Sequence, residues 1–326
     1  MKAVIRNNYG TYEGLEYADV EKPSPGPGEA LIRNHASSIN SHDIRRLAGK
    51  PALTRLREGY LIPENKLLGA DVAGVIEELG EGETDFEVGD EVFCCVAGGY
   101  GDNAFAEYVC AKRSTIVKKP ANITFEQAAA VPMAAVTALQ GLRNYGQVSE
   151  GMQVLINGAS GGVGTFAVQI AKALGAEVTG VCSGKNLEMV KSIGADHVIN
   201  YEEENFAKES NKYDLMLDIA ANQSMAARTY PLKPGGLCVV IGYATTLALL
   251  QVALSRSKAN KDGGKDLVML LADQSIKGDL QTMAEFLEEG KVVPVIDHCY
   301  PLSEAKDAFR YFLEEHAKGK VVLSIP

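Results

Sequence analysis

The feature that most constrains the fold is a glycine-rich turn in the middle of the chain. It reads GASGGVG at residues 158–164, follows the apolar run QVLIN at 153–157, and leads into a predicted helix at 165–174. A strand, a glycine turn and a helix in this order form the context in which such a turn binds the pyrophosphate of a dinucleotide. Glycines let the backbone approach a phosphate, and a helix N-terminus offers unpaired N–H groups. The alternative is a tight strand-to-helix turn without a ligand.

The end of the next predicted strand indicates which dinucleotide fits. An NAD site places an Asp or Glu there, about 20 residues after the turn, to hold the ribose 2′-OH. This chain has VCSGKN at 181–186, with Ser183 and Lys185 and without a carboxylate. A lysine and a hydroxyl suit a 2′-phosphate through charge-assisted hydrogen bonds, so we expect NADPH. The alternative is that Lys185 is a solvated residue at a helix start.

From about residue 123 the chain alternates short apolar runs with helical stretches. An Ala-rich helical stretch at 125–143 comes first. The predicted strands lie at 154–157, 178–182, 198–199, 215–219 and 237–241, with helices at 166–174, 186–193 and 224–230 between them. This βαβ order predicts a doubly wound parallel sheet of the Rossmann type.

The first 120 residues have a different texture, with short β-branched runs separated by Pro and Gly turns such as PSPGPG at 23–28. This pattern predicts a mainly antiparallel β-domain that closes as a small barrel. The tail predicts a helix at 278–289, a strand at 292–296, a helix at 303–316 and a strand at 320–325, and we expect it to pack back on the first domain. The predicted α/β chain therefore has two domains, one formed by 1–122 and 274–326 and the other by 123–273.

Composition excludes several classes of protein. Among 326 residues, 42 Asp and Glu against 32 Lys and Arg give a net charge of −10, which lacks the basic surface that nucleic acids require. No signal peptide and no membrane-length apolar run is visible, so we expect a cytoplasmic protein without membrane association. The six cysteines show no C-x-x-C spacing, which favours reduced thiols over disulfides or a zinc lobe.

Several further motifs resemble one known family along the whole chain. They are PGPGEALI at 25–32, HASSIN at 35–40, LGADVAGV at 68–75, FAEYV at 105–109, VTAL at 136–139, the glycine turn, GADHVINY at 194–201 and GKVVL at 319–323. Together they resemble the medium-chain dehydrogenase/reductase superfamily, and within it the zinc-independent zeta-crystallin-like NADPH:quinone oxidoreductases and enone reductases. The resemblance implies a GroES-like barrel catalytic domain, a Rossmann cofactor domain and a homodimer joined through edge strands at 237–241 and 266–271.

The resemblance also implies that catalytic zinc is missing. Asn40, Ala70 and Met133 stand where zinc alcohol dehydrogenases carry metal ligands, and none supplies a thiolate or an imidazole. Alcohol oxidation needs a group that stabilises the alkoxide, whereas a quinone or an α,β-unsaturated carbonyl accepts hydride more readily. We therefore expect a reductase of such small molecules, with the pocket shaped by segments 49–66, including Tyr60, and 243–261.

The resemblance and the motifs together define the candidate site residues. The catalytic candidates are Asn40 and Arg45, although Arg45 is equally compatible with a solvent-facing role. The cofactor-binding candidates are Thr137, Ser160, Gly161, Gly162, Val163, Ser183, Lys185, Tyr201 and Lys318, and no metal ligand is expected. Two other functions stay open at this point, namely a trans-2-enoyl thioester reductase and a non-catalytic, crystallin-like or regulatory NADPH-binding protein.

Overall fold

The computed structural model describes residues 1–50, 55–56, 58–82, 85–97, 103–208, 210–242, 264–274, 276–315 and 317–326. These residues form two compact units. The first contains Met1–Val136, Asp273–Gly290 and Pro294–Pro326, and the second contains Thr137–Ala272 and Lys291–Val293. The sequence assigned residues 123–136 to the Rossmann domain, but the structure groups them with the first unit. The reason is that helix α2 (Phe125–Ala129) packs on strands β3 (Glu29–Ser38) and β4 (Asp71–Leu79).

The first unit is built around a mixed sheet. Its other elements are β1 (Lys2–Arg6), β2 (Leu15–Asp19), α1 (Ser41–Ala48), β5 (Glu91–Cys95), β6 (Tyr108–Lys112), β7 (Val117–Lys118), α7 (Lys277–Glu288), β14 (Ile296–Pro301), α8 (Ala305–Glu314) and β15 (Lys320–Ser324). The seven-stranded sheet runs β14-β15-β3-β4-β5-β7, with β6 paired to β3, while β1 and β2 form a separate ribbon. All pairs are antiparallel except β14 with β15. The tail therefore joins the sheet of the first unit, as the sequence predicts.

The second unit is a parallel sheet with helices between its strands. Its elements are β8 (Gln153–Asn157), α4 (Gly162–Ala173), β9 (Glu177–Cys182), α5 (Leu187–Ser192), β10 (His197–Asn200), β11 (Tyr213–Asp218), α6 (Met225–Thr229), β12 (Leu232–Ile241) and β13 (Asp266–Leu270). The strand order β10-β9-β8-β11-β12-β13 is that of a doubly wound dinucleotide-binding fold. Every adjacent pair is parallel. The predicted strands are confirmed, and the strand order reverses beside β8, where the glycine turn begins.

Helix α3 (Pro132–Leu139) links the two units along the chain, and it corrects one prediction. The sequence predicts one helical stretch over 125–143, but the structure breaks it at residues 130–131, and a π-helix follows α3 at Gln140–Tyr145. Pro132 has no N–H to continue the preceding helix, and it suits the first position of a new one.

The tail contains a second difference. The strand predicted at 292–296 is wrong, because β14 begins only at Ile296. Pro294 has no N–H for a sheet ladder. The peptide groups of Val293 pair instead with a side chain, since its N–H donates to Gln169 Oε1 (2.8 Å) and its carbonyl accepts from Gln169 Nε2 (3.0 Å).

Beside the catalytic candidates the structure forms α1 directly after Asn40. Asn40 is the residue that precedes the helix, and its N–H donates to Asp43 Oδ2 at 2.8 Å. This is half of a capping box, and the Asn-x-x-Asp spacing was its signal in the sequence.

Two general features complete the fold. Within the ranges described, no helix combines the length and the apolar character that a bilayer crossing needs. All six cysteines are free thiols, and four of them are buried.

Candidate functional site

The glycine turn joins β8 to α4 in the second unit. Gly158 has a φ of 90°, which an L-residue rarely adopts. A Cβ on Gly164 would lie 2.1 Å from the carbonyl oxygen of Gly158, so helix and turn pack too closely for any side chain there. A Cβ on Gly161, in contrast, would meet that oxygen at an ordinary 3.6 Å. Gly158 and Gly164 therefore set the shape of the turn, while Gly161 leaves its surface open.

The start of α4 provides backbone donors. Gly161 precedes the helix. The first hydrogen bond of the helical ladder runs from the N–H of Thr165 to the carbonyl oxygen of Gly161, at 2.9 Å. The N–H groups of Gly162, Val163 and Gly164 come before this ladder. A helix of 12 residues also directs the positive end of its dipole toward the turn. This arrangement suits an anion such as a pyrophosphate.

Two serines near the turn are joined by one buried amide. Asn186 Nδ2 donates to Ser160 Oγ and to Ser183 Oγ, at 3.2 Å each. Because each hydroxyl oxygen accepts from Asn186, its own proton stays available as a donor. Asn186 is 4% exposed, and its Oδ1 has no hydrogen-bond partner among the described residues. The sequence did not identify Asn186 as a site residue, because only the folded chain brings it between the two serines.

Three predicted cofactor residues lie where β9 and β10 end. The N–H of Tyr201 donates to the carbonyl of Cys182 at 3.1 Å, which places Tyr201 beside Ser183. Tyr201 is 57% exposed, and Lys185 is also exposed. The structure adds Glu202, whose Oε2 accepts from the N–H of Gly184 at 3.0 Å. Thr137, another candidate, is buried in α3 within the same unit.

The remaining candidates belong to the first unit, where Asn40 contacts both members of a buried ion pair, Asp71 and Lys320. Asp71 Oδ2 accepts from Ser38 Oγ (2.6 Å) and from Asn40 Nδ2 (2.9 Å), and its Oδ1 accepts from the N–H of Met133 (2.9 Å). Lys320 Nζ donates to Asn40 Oδ1 at 2.5 Å and lies 3.8 Å from Asp71 Oδ2. Four segments far apart in sequence therefore converge on the Asp71 carboxylate.

Burial controls the electrostatics of this ion pair. Loss of solvent lowers the pKa of the Lys320 ammonium, an effect opposed by the charges of Asp71 and Asp43. Asn40 Nδ2 also donates to the carbonyl of Ser38 at 3.2 Å, so both ends of the Asn40 amide are engaged. The network fixes the orientation of Asn40 rather than leaving its side chain free to rotate.

The other two candidates of this unit, Arg45 and Lys318, lie close in sequence to Asn40 and to Lys320, respectively. Arg45 is half-buried on α1, one helical turn after Ser41. Lys318 is exposed, and its backbone N–H donates to Asp297 Oδ2 at 2.8 Å. Parts of the segments expected to shape the substrate pocket, residues 51–54 and 57 and all of 243–263, lie outside the described residues. Tyr60 is described, and it is 68% exposed.

The positions of the missing zinc ligands lie in the same unit as Asn40. Ala70 is fully buried beside Asp71, and the backbone of Met133 contacts the Asp71 carboxylate. In the described ranges, no three His, Cys, Asp or Glu side chains stand together as a metal site would require. The cationic group bonded to Asn40 Oδ1 is the Lys320 ammonium.

The second unit fits a dinucleotide on its own geometry. It combines an open glycine surface, backbone donors at the start of α4, two serine hydroxyls and the unpartnered Asn186 Oδ1. Such donors and acceptors are what a pyrophosphate and a ribose hydroxyl bind.

Comparisons with known proteins place this geometry in a family. The model of the alcohol dehydrogenase GroES-like domain matches residues 26–121, and a zinc-binding dehydrogenase model matches residues 193–323. The chain is 34% identical to a chloroplast envelope quinone oxidoreductase homolog of Arabidopsis thaliana, covering 99% of this chain and 98% of the relative. It is 31% identical to a chloroplastic NADPH-dependent alkenal/one oxidoreductase of Arabidopsis thaliana, covering 99% and 79%.

Solved structures agree with the sequence relatives. The quinone oxidoreductase of Coxiella burnetii superposes with a TM-score of 0.87 at 31% identity, covering 100% of this chain and 99% of the other. The CurK enoyl reductase superposes with a TM-score of 0.86 at 26% identity, covering 100% and 99%. The predicted fold class, a GroES-like domain with a Rossmann parallel-sheet domain, is confirmed.

Proposed function

Because the chain belongs to the medium-chain dehydrogenase/reductase superfamily, in its zeta-crystallin-like quinone oxidoreductase group, we propose that it is a metal-independent NADPH-dependent reductase. Its acceptor is a quinone or the double bond of an α,β-unsaturated carbonyl. Relatives named as quinone oxidoreductases and as an alkenal/one oxidoreductase support this acceptor class.

The observation that carries the proposal is the set of donors at the carboxyl edge of the parallel sheet. The N–H groups of Gly162 and Val163 receive the pyrophosphate, and Gly161 leaves room for it. The hydroxyl of Ser183, the ammonium of Lys185 and the phenol of Tyr201 receive the 2′-phosphate that distinguishes NADPH from NADH. The hydroxyl of Ser160 is a further donor near the pyrophosphate.

The catalytic role of the first unit is electrostatic. The bound dinucleotide supplies hydride chemistry, and the chain supplies binding, orientation and charge. Asn40 is held in one orientation by Lys320 and Asp71. We assign Arg45, whose guanidinium is permanently charged, to the stabilisation of negative charge that develops on the acceptor oxygen. We assign Thr137 and Lys318 to the cofactor as well, on the family resemblance alone.

An acceptor screen tests the proposed reaction. NADPH oxidation is followed with a quinone, with the enal acrolein and with an enone, and NADP reduction is followed with a saturated alcohol. We expect turnover with at least one of the first three acceptors and none with the alcohol. Alcohol oxidation together with no turnover of the three activated acceptors would refute the proposal.

A second candidate is a trans-2-enoyl thioester reductase, which the likeness to the CurK enoyl reductase favours. Crotonyl-CoA is the discriminating substrate, because it carries the same activated double bond on a long acyl carrier. A kcat/KM for crotonyl-CoA above that for every enal, enone and quinone in the screen would promote this candidate.

A third candidate, a non-catalytic NADPH-binding protein, shares the cofactor site. Tight NADPH binding without reduction of any acceptor would favour it.

For the assembly, we propose a cytoplasmic homodimer joined through the edge of the parallel sheet near β12 and β13. Strand β13 forms this edge, because β12 is its sole neighbour among the described strands. Gel filtration tests the dimer, and cell fractionation tests the compartment.

A further inference from the structure

The carboxylate of Glu202 lies in the part of the second unit where the 2′-phosphate is expected to bind. Its Oε2 accepts from the N–H of Gly184 at 3.0 Å, and Gly184 lies between Ser183 and Lys185 in the chain. Two of the three residues proposed for the 2′-phosphate thus flank a backbone donor that is already bonded to an internal anion.

The position of Glu202 is fixed by its neighbours. The N–H of Glu202 donates to Asn200 Oδ1 at 3.1 Å, and the preceding residue, Tyr201, is tied to Cys182 by a backbone hydrogen bond. A Cβ on Gly184 would lie 3.0 Å from Asn200 Nδ2 and 3.4 Å from Glu202 Oε2, so glycine permits this close approach. The exposed carboxylate is therefore held against the turn after β9 by this hydrogen bond.

An independent observation supports a ligand site at this turn. Asn186 is 4% exposed, it binds the Ser183 hydroxyl, and its Oδ1 has no partner among the described residues. An unsatisfied buried oxygen costs free energy unless something else, such as a ligand hydroxyl, supplies a donor.

We propose that Glu202 is a specificity-determining residue that weakens the binding of 2′-phosphorylated nucleotides. This inference rests on the proposed function. A phosphate and a carboxylate are both anions that require donors, so they compete for the N–H of Gly184 and repel each other. A ribose 2′-OH is instead a donor, which a carboxylate accepts without a charge conflict. Glu202 therefore limits the preference for NADPH that Ser183, Lys185 and Tyr201 create, and it leaves NADH as a usable cofactor.

The matched substitution is Glu202→Gln, which keeps the size of the side chain and removes its charge. Glu203→Gln is the control, because Glu203 is equally exposed and, among the described residues, its side chain makes no hydrogen bond to the turn. The Kd values of adenosine 2′,5′-bisphosphate and of 5′-AMP are measured by titration calorimetry for the wild type and both variants. These two fragments differ only in the 2′-phosphate.

At low salt we expect Glu202→Gln to lower the Kd of the bisphosphate about tenfold and to change the Kd of 5′-AMP less than twofold. We expect Glu203→Gln to change neither Kd. The gain should shrink as salt screens the charges. Equal shifts in both variants, no shift with Glu202→Gln, or no binding of either nucleotide to any of the three proteins would overturn the inference. Because the readout is binding, a failed acceptor screen refutes the reductase without affecting this result.

Discussion

The two units build their polar sites from different parts of the chain. In the second unit the site is mainly backbone, formed by one continuous turn in which missing Cβ atoms create the space. In the first unit it is mainly side chain, formed by Asn40, Asp71 and Lys320, which lie far apart in the sequence and are buried. A backbone site depends on residues that must stay small, whereas a buried ionic site depends on partners that must all be present.

The largest effect is expected when one partner of the buried ion pair is removed. Lys320→Met keeps a long apolar stem but leaves the buried carboxylate of Asp71 without its cation. We expect the free energy of unfolding to fall by about 3–5 kcal/mol, measured by urea denaturation. Lys318→Met is the control because Lys318 is exposed two residues earlier, and its change should stay within about 0.5 kcal/mol. Equal losses in the two variants would show that the network does not stabilise the first unit.

The next effect tests the backbone site. Gly164→Ala places a Cβ 2.1 Å from the carbonyl oxygen of Gly158, so the turn or the helix must move. We expect a loss of about 3 kcal/mol in the free energy of unfolding, together with weakened dinucleotide binding. Gly161→Ala, whose Cβ has an ordinary 3.6 Å contact, should unfold like the wild type while still crowding the pyrophosphate. Wild-type stability in Gly164→Ala would contradict the close packing of the turn.

A smaller effect is expected from a side chain at the edge of the backbone site. Lys185→Ala removes an exposed ammonium, so we expect the Kd of NADPH to rise about tenfold and the Kd of NADH to stay unchanged. Fluorescence titration with both dinucleotides provides the comparison. If both affinities fall together, or if neither changes, Lys185 does not recognise the 2′-phosphate.

The smallest effect concerns a residue after β11. Ala221 has a φ of +51°, a left-handed conformation that glycine adopts more easily than alanine. Ala221→Gly should raise the free energy of unfolding by about 0.5 kcal/mol, because relief of strain exceeds the entropy that glycine adds to the unfolded chain. Ala220→Gly is the control, since Ala220 is not among the residues with positive φ, and it should destabilise by a similar amount. Destabilisation by both changes would contradict the strain at Ala221.

The contrast between the units also explains what the sequence could predict. The parallel sheet and its turn follow from local patterns, because each strand is a continuous apolar run and each glycine has a local reason. Asn40 was identified through a motif, but its partners Asp71 and Lys320 were not, since nothing local relates residues 31 and 280 positions away. Asn186 and Glu202 were missed although each lies close in sequence to a candidate residue, because their contacts with Ser160 and Gly184, 26 and 18 positions away, exist only in the folded chain.

The errors in secondary structure have one distant cause and one local cause. The strand predicted at 292–296 failed because Gln169, from another part of the chain, takes the backbone hydrogen bonds of Val293. The helical stretch predicted at 125–143 is interrupted before Pro132, which has no N–H to continue the preceding helix.

The most direct test of the central claim is deuteride transfer. The purified protein, dialysed against a chelator, is incubated with NADPH that carries deuterium at both C4 positions and with an enal or enone that is reduced in the acceptor screen, and the product is analysed by mass spectrometry and NMR. We predict undiminished turnover, with one deuterium on the carbon β to the carbonyl of the saturated product. Turnover that is lost on chelation and restored by zinc, or a reduced product without deuterium from the C4 position, would contradict the account.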